Sequence, residues 1–122
     1  MVERIPREKY AAKIEKFQKL RADLANLAQS KAAIARSLEE AKVVLDSLKE
    51  LPDDTQLYKL EGFVLIPVTK AKLAKELEDR ITELEARLAK LEKLEESYRK
   101  ELERLMEELQ ALSSPGEKAV GG

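Results

Sequence analysis

The chain has 122 residues, which is enough for one ordinary domain. Charged residues make up 39% of it and aromatic residues 4%. This balance is typical of a coiled coil, because a helix pair has one buried seam and a large solvated surface. The 23 basic and 24 acidic residues nearly cancel, so no basic excess indicates a nucleic-acid or anionic-membrane partner.

The composition also argues against catalysis. Cys and His are both absent, which removes thiol chemistry, thiolate metal sites and the commonest general base. Only four glycines are present, and they form no phosphate-binding loop. No apolar run reaches membrane-spanning length, and the first residues lack the apolar core of a secretory signal. We expect a cytoplasmic protein that is not an enzyme and uses no cofactor or metal.

Apolar residues follow a heptad pattern in the first half of the chain. One series recurs every seven residues at Tyr10, Phe17, Leu24, Lys31, Leu38 and Leu45. Its companion series is Lys13, Leu20, Leu27, Ile34, Ala41 and Leu48, with Ile14 expected to serve in place of Lys13. About five such repeats predict a coiled-coil helix over residues 6–51. The helix should end there because Pro52 disfavours helical geometry at the preceding residue.

A second heptad pattern of equal length predicts a return helix over residues 70–112, with Thr69 as its N-cap. One series is Ala74, Ile81, Leu88, Glu95, Leu102 and Leu109. The other is Leu77, Leu84, Leu91, Tyr98, Leu105 and Leu112. Folded antiparallel, the two helices would lie in register, and we expect Lys31 and Glu95 to pair and fix that register. Residues 1–112 then form one domain, and residues 113–122 are predicted to be a disordered tail.

Between the helices, residues 55–68 predict a β-hairpin. Two apolar and β-branched stretches, 56–61 and 63–68, flank Gly62. With Glu61 and Gly62 as a two-residue turn, Leu60 would lie opposite Phe63 and Tyr58 opposite Leu65. Both faces would then be mostly apolar. The residues that we expect to form an interface are Leu57, Tyr58, Leu60, Gly62, Phe63, Val64, Leu65 and Ile66.

Two interpretations of this hairpin remain open from the residues alone. In the first, the hairpin folds back and caps the ends of its own helices. In the second, hairpins of several chains pair into a shared sheet or closed barrel, which removes their unpaired edges. We expect the second, because a two-stranded ribbon is marginal by itself and two helices cannot cover two faces and both edges.

The segment LPDDTQLYKLEGFVLI at residues 51–66 resembles the corresponding segment of β-type prefoldin subunits, the archaeal β chain and its eukaryotic relatives. With the flanking heptads, the resemblance covers nearly all of residues 5–112. One hairpin rather than two is what separates the β type from the α type. The implied fold is α-dominated: an antiparallel two-helix coiled coil joined by a β-hairpin that assembles into an intersubunit β-barrel.

The resemblance also implies a function. The family assembles as a hexamer of two α subunits and four β subunits, so prefoldin α subunits and other β subunits are the expected partners. It captures unfolded client polypeptides at the coiled-coil tips without nucleotide and passes them to a group II chaperonin. No nucleic acid and no membrane take part.

Client capture would involve apolar residues near both termini, at the end of the helices opposite the hairpin. The candidates are Ile5, Tyr10, Ile14, Phe17, Leu105, Met106, Leu109 and Leu112. Alternatively they are ordinary seam residues, and this remains open for Phe17, Leu105 and Leu109 in particular. Ile14 and Met106 are expected beside the seam, where a flexible thioether can adapt to varied partners.

Two other functions remain as alternatives. A structural coiled-coil spacer or oligomerisation rod predicts a self-sufficient dimer without chaperone activity. A helical-arm module that binds nucleic acid predicts a basic face with stacking aromatics, whereas Tyr10, Phe17 and Tyr98 all fall on the seam.

Overall fold

A computed structural model of the chain describes residues 7–113, in which two long helices flank a β-hairpin. The elements are α1 (Arg7–Lys49), β1 (Leu57–Glu61), β2 (Val64–Val68) and α2 (Lys70–Ser113). These bounds lie within two residues of the predicted helices and hairpin. The predicted helix start at position 6 lies outside the described residues, as does the predicted tail 113–122 apart from Ser113, which is the last residue of α2.

The chain divides into two compact units. The hairpin unit is Lys31–Lys90, which holds the end of α1, the hairpin and the start of α2. The terminal unit holds the beginning of α1 and the end of α2, described here for residues 7–30 and 91–113.

The predicted heptad positions are the inward-facing residues of both units. Every member of the four series is buried or half-buried. Leu105 is 3% exposed, and Leu48 and Leu84 are each 4% exposed. Within the described residues, no side chain falls below 2% exposure. A helix pair buries its contact seam from one side only, which accounts for this incomplete burial.

The end of α1 is tied to the start of α2 by one lysine. The Lys70 Nζ atom donates to the Leu51 carbonyl at 2.6 Å and to the Lys49 carbonyl at 3.4 Å. It also contacts the Asp53 carboxylate at 3.2 Å. The last carbonyl groups of a helix have no partner within the helix, and a cation placed there satisfies them. Lys70 therefore caps α1 from the neighbouring helix.

The predicted N-cap of α2 is confirmed. The Thr69 Oγ1 atom accepts a hydrogen bond from the Lys72 backbone N–H at 3.1 Å, so Thr69 caps α2. On the other side, the Thr55 hydroxyl and the Thr55 N–H both bond to the Pro52 carbonyl, at 2.7 and 3.1 Å. Together these bonds fix where the hairpin leaves one helix and enters the other.

The predicted pairing of the two strands is wrong by two residues. The structure pairs Leu60 with Leu65 and Glu61 with Val64, so the turn residues are Gly62 and Phe63. Gly62 has a φ of +62°, and no other residue has a positive φ within the described part of the chain. A turn with its left-handed residue in the first central position is of type II′, which favours Gly there. The prediction had placed Gly62 second, where a type I′ turn would also have forced Glu61 into the left-handed region.

The correction leaves the faces of the hairpin unchanged. Side chains alternate with a period of two along a strand, so a shift of two residues keeps each one on its side. Tyr58, Leu60 and Leu65 still share one face. Two residues change their settings: Phe63 moves from a strand position to the turn, and Glu61 moves from the turn to the end of β1.

Candidate functional site: the exposed hairpin

Exposed apolar side chains are concentrated in the hairpin unit. Among the described residues, eleven large apolar side chains are exposed, and nine of them belong to this unit. Phe63, at the tip of the turn, is 97% exposed. The others on the hairpin are Tyr58, Leu60, Val64, Leu65 and Ile66, each between 45% and 66% exposed. Contiguous apolar surface of this kind marks an interaction site.

One face of the hairpin is held toward α2. Leu57, Lys59 and Val68 lie on this face and are half-buried. The Lys59 Nζ atom lies 3.0 Å from the Glu76 carboxylate on α2 and 3.0 Å from the Glu61 carboxylate on β1. Hydrogen bonds to Glu61 and Glu76 raise the pKa of Lys59. The pairing of Lys59 with Glu76 was not predicted from the sequence.

The opposite face, with Tyr58, Leu60 and Leu65, is left open. The interpretation in which the hairpin only caps its own helices is therefore wrong, since the chain's own residues leave this face and the turn exposed. The described sheet also has just two strands, so each strand has an outer edge of unpaired backbone groups. An apolar face with free edges is a surface that other strands can complete.

The terminal unit places most of the predicted client-binding residues inside the helix pair. Leu105 is buried at 3% exposure, whereas Met106 is 44% exposed. Ile5 lies outside the described residues. The half-buried members are Tyr10, Ile14, Phe17, Leu109 and Leu112. Met106 is thus the one predicted residue whose side chain is largely open in the described part of this unit.

Ion pairs join the two helices of the terminal unit along one flank. The Lys13 Nζ atom lies 2.5 Å from the Glu108 carboxylate, and the Lys16 Nζ atom lies 3.0 Å from the Glu101 carboxylate. Lys16 and Glu101 each directly precede a seam residue, which is a position that coiled coils use for interhelical charge pairs. The predicted pairing of Lys31 with Glu95 stays a prediction.

Acid should weaken the ion pair between Lys13 and Glu108. The hydrogen bond that Lys13 donates lowers the pKa of Glu108 below its ordinary value of 4.5. The pKa of such a carboxylate is lower in the folded state than in the unfolded state. Its ionised form therefore stabilises the folded state at a pH above the unfolded-state pKa. This stabilisation is lost as the pH falls through the folded-state pKa. In Lys13→Met we expect the Glu108 pKa to rise, as followed by carboxylate-carbon NMR during acid titration.

The matched control is Lys9→Met, since Lys9 forms no ion pair within the described range. It should leave the Glu108 pKa unchanged. Equal Glu108 titration curves in Lys13→Met and the wild type would contradict the assignment of this pair.

Within residues 7–113, no group of acidic side chains is placed to hold a metal ion. No helix in the same range has the length and apolar character needed to cross a membrane.

Fold and site together define a class of protein: a coiled-coil hairpin protein with an apolar β-ribbon open to other chains. Comparison with known proteins narrows this class. Residues 11–114 match the family model described as prefoldin subunit. The prefoldin subunit beta of Sulfolobus acidocaldarius is 38% identical over 103 residues, covering 84% of this chain and 82% of that one. That of Pyrococcus horikoshii is 36% identical over 87 residues, covering 71% and 74%.

A solved structure agrees with these sequence matches. The crystal structure of the prefoldin beta subunit from Thermococcus strain KS-1 superposes with a TM-score of 0.80 at 32% identity, covering 90% of this chain and 96% of that one. The chain belongs to the prefoldin family, and the relatives named here are all β subunits.

Proposed function

We propose that this chain is a β-type subunit of a cytoplasmic prefoldin hexamer, an ATP-independent chaperone. Its hairpin joins those of two α-type subunits and further β subunits in intersubunit β-barrels. The observation that carries the proposal is the exposed apolar surface of the hairpin, where Phe63 at the turn is 97% exposed and Leu60 on the open face is 66% exposed. Closing the ribbon into a barrel pairs its free edges and removes this apolar surface from water.

Client capture in this proposal takes place at the terminal unit and involves no chemistry. Met106 supplies a flexible apolar contact at 44% exposure, and the half-buried Tyr10, Ile14 and Leu109 add partly open surface in the same unit. Each contact is weak. Six arms acting together raise the overall affinity for an unfolded polypeptide without requiring a particular sequence. The captured client is then passed to a group II chaperonin, as the family resemblance implies.

The two alternative functions differ in what they require of the structure. A nucleic-acid arm needs exposed aromatic rings for base stacking, whereas Tyr10, Phe17 and Tyr98 are half-buried at the seam. A spacer rod needs no open apolar ribbon, and the exposed face of Leu60 and Leu65 disfavours it.

Tip capture is tested by removing residues 1–14 and 105–122 together from a hexamer reconstituted with an α-type chain. We expect suppression of client aggregation, followed by light scattering, to be largely lost, because the deletion removes Met106 and its apolar neighbours. Native mass measurement would first establish that the shortened hexamer is intact. A hexamer lacking only residues 115–122 is the control and should suppress aggregation normally. Full suppression by the intact shortened hexamer would overturn tip capture.

A further inference from the structure

The backbone groups on the two outer edges of the hairpin follow from its register. Glu61 and Val64 are the first pair after the two-residue turn. Residues that flank such a turn exchange both backbone hydrogen bonds, and hydrogen-bonded pairs then alternate with pairs whose N–H and C=O groups point outward. The pairs that point outward are therefore Leu60 with Leu65 and Tyr58 with Pro67.

Pro67 makes the two edges unequal. Proline has no backbone N–H, and at an outward position its absence costs the ladder between β1 and β2 nothing. The outer edge of β2 does lose a donor, and within that strand it keeps the outward N–H of Leu65 alone. The outer edge of β1 keeps the outward N–H groups of both Tyr58 and Leu60. Only β1 therefore offers an uninterrupted edge to another strand.

Both edges are open in the described part of the chain. The sheet there has two strands, so no third strand lies on either edge. Tyr58, Leu60 and Pro67 are all exposed. A proline inside a sheet is found on an edge strand, with its nitrogen toward solvent. The sequence of β2 thus disfavours a further strand near its base, whereas the sequence of β1 does not.

The direction of neighbouring hairpins decides which edges meet in the proposed barrel. The open face points inward, and the arms leave the barrel on one side, as joint capture of a client requires. Neighbouring hairpins are then related by rotation about the barrel axis, which places β1 of one beside β2 of the next. Between two copies of this chain, the complete β1 edge would meet the β2 edge that lacks a donor at Pro67.

A second copy is therefore a poor neighbour for β1. In any register that includes Pro67, one outward carbonyl of β1 is left without a donor, and a register that avoids Pro67 shortens the contact. Main-chain hydrogen bonds supply much of the affinity when a strand is added to a sheet edge. A strand that has all of its outward N–H groups would bind the β1 edge more tightly than β2 of a second copy.

We propose that the β1 edge pairs with a strand of an α-type subunit, and that Pro67 disfavours a second copy of this chain at that edge. The inference rests on the proposed function and adds to it the identity of one neighbour in the barrel. Pro67 acts by weakening the wrong complex, which is one of the two ways in which an interface gains specificity.

The first test restores the missing donor by Pro67→Val, since valine has an N–H and suits a strand. The matched control is Pro52→Val, which makes the same change in the same unit but outside both strands. Sedimentation velocity over a range of concentrations would measure self-association of the chain alone. We expect Pro67→Val to associate about tenfold more tightly than the wild type, through the restored hydrogen bond, and Pro52→Val to match the wild type. Equal association of the two variants would overturn the role of Pro67.

The second test removes a donor from the other edge by Tyr58→Pro, at the residue that lies opposite Pro67. Its control is Tyr58→Val, which also loses the aromatic ring but keeps the N–H. Native mass measurement of mixtures with an α-type chain would report hexamer formation, and circular dichroism would report helix content. We expect Tyr58→Pro to form the hexamer at least about tenfold more weakly than Tyr58→Val, with the same helix content. Equal hexamer formation would overturn the assignment of the β1 edge.

These outcomes separate the inference from the function that it rests on. If the wild-type hexamer forms and suppresses aggregation while neither variant differs from its control, the edge assignment is wrong and the chaperone proposal stands. If the wild-type chain forms no complex with an α-type chain, both are overturned.

Discussion

Replacing Leu60 by Lys and Leu65 by Glu should dissociate the assembly into monomers with intact helices. The two leucines lie directly opposite each other across the hairpin and are 66% and 62% exposed. An opposite-charge pair at such positions supports the hairpin itself, and the net charge stays unchanged. Burying the pair in an apolar barrel is costly, so we expect subunit association to weaken by about a hundredfold or more. Native mass measurement and circular dichroism would report assembly and helix content.

The control for this variant is Leu60→Val/Leu65→Val, which keeps both positions apolar and suited to a strand. It should assemble like the wild type. Assembly of the Lys/Glu variant at wild-type concentrations would show that this face of the hairpin is not the subunit interface.

Leu105→Ala should lower the free energy of unfolding by about 2–4 kcal/mol. Leu105 is 3% exposed, and truncating it removes buried apolar contacts and leaves a cavity in the terminal unit. Leu94→Ala is the matched control, since it makes the same change in the same unit and helix at a side chain that is 40% exposed. It should change stability by no more than about 0.5 kcal/mol. Urea unfolding followed by circular dichroism would measure both.

The Leu105 result also decides between two roles that the sequence left open. A large loss of stability identifies Leu105 as a seam residue that holds the helix pair together. Unchanged stability together with weaker client capture would instead make it a contact residue, against its burial in the structure. Met106, the adjacent and exposed residue, is the better candidate for direct contact.

The helices could be predicted from the sequence because their signal is repeated. A heptad pattern is supported by many positions at once, so the polar members Lys13, Lys31 and Glu95 did not obscure it, and all three are half-buried as the pattern requires. The end of α1 was also marked locally, by Pro52. The capping of the α1 carbonyl groups by Lys70 could not be predicted in this way, because residues far apart in sequence form that contact.

The predicted register of the hairpin rested on the position of one turn, so it had less support in the sequence than the helices had. A single glycine between two strands fits either central position, and the choice moves every strand pair by two residues. The link from Lys59 to Glu76 was missed for a related reason, since 17 residues and the turn separate them.

The site arises because the chain buries its apolar side chains in the helix pair but not in the hairpin. The seam buries its leucines within the chain, whereas the hairpin leaves its large side chains open on one face and at the turn. The Lys59 ion pairs hold the opposite face toward α2 and thereby set which face remains available. In this account, one chain forms the coiled coil by itself, whereas the β-hairpin is completed only by pairing with the hairpins of other chains.

The most direct test of that account is the native mass of this chain, alone and after mixing with an α-type prefoldin chain. The account predicts a complex of four copies of this chain with two α-type chains, in which the amide groups of residues 57–68 exchange slowly with solvent. A mixture that leaves this chain as a folded monomer, with its hairpin amides already protected, would contradict it.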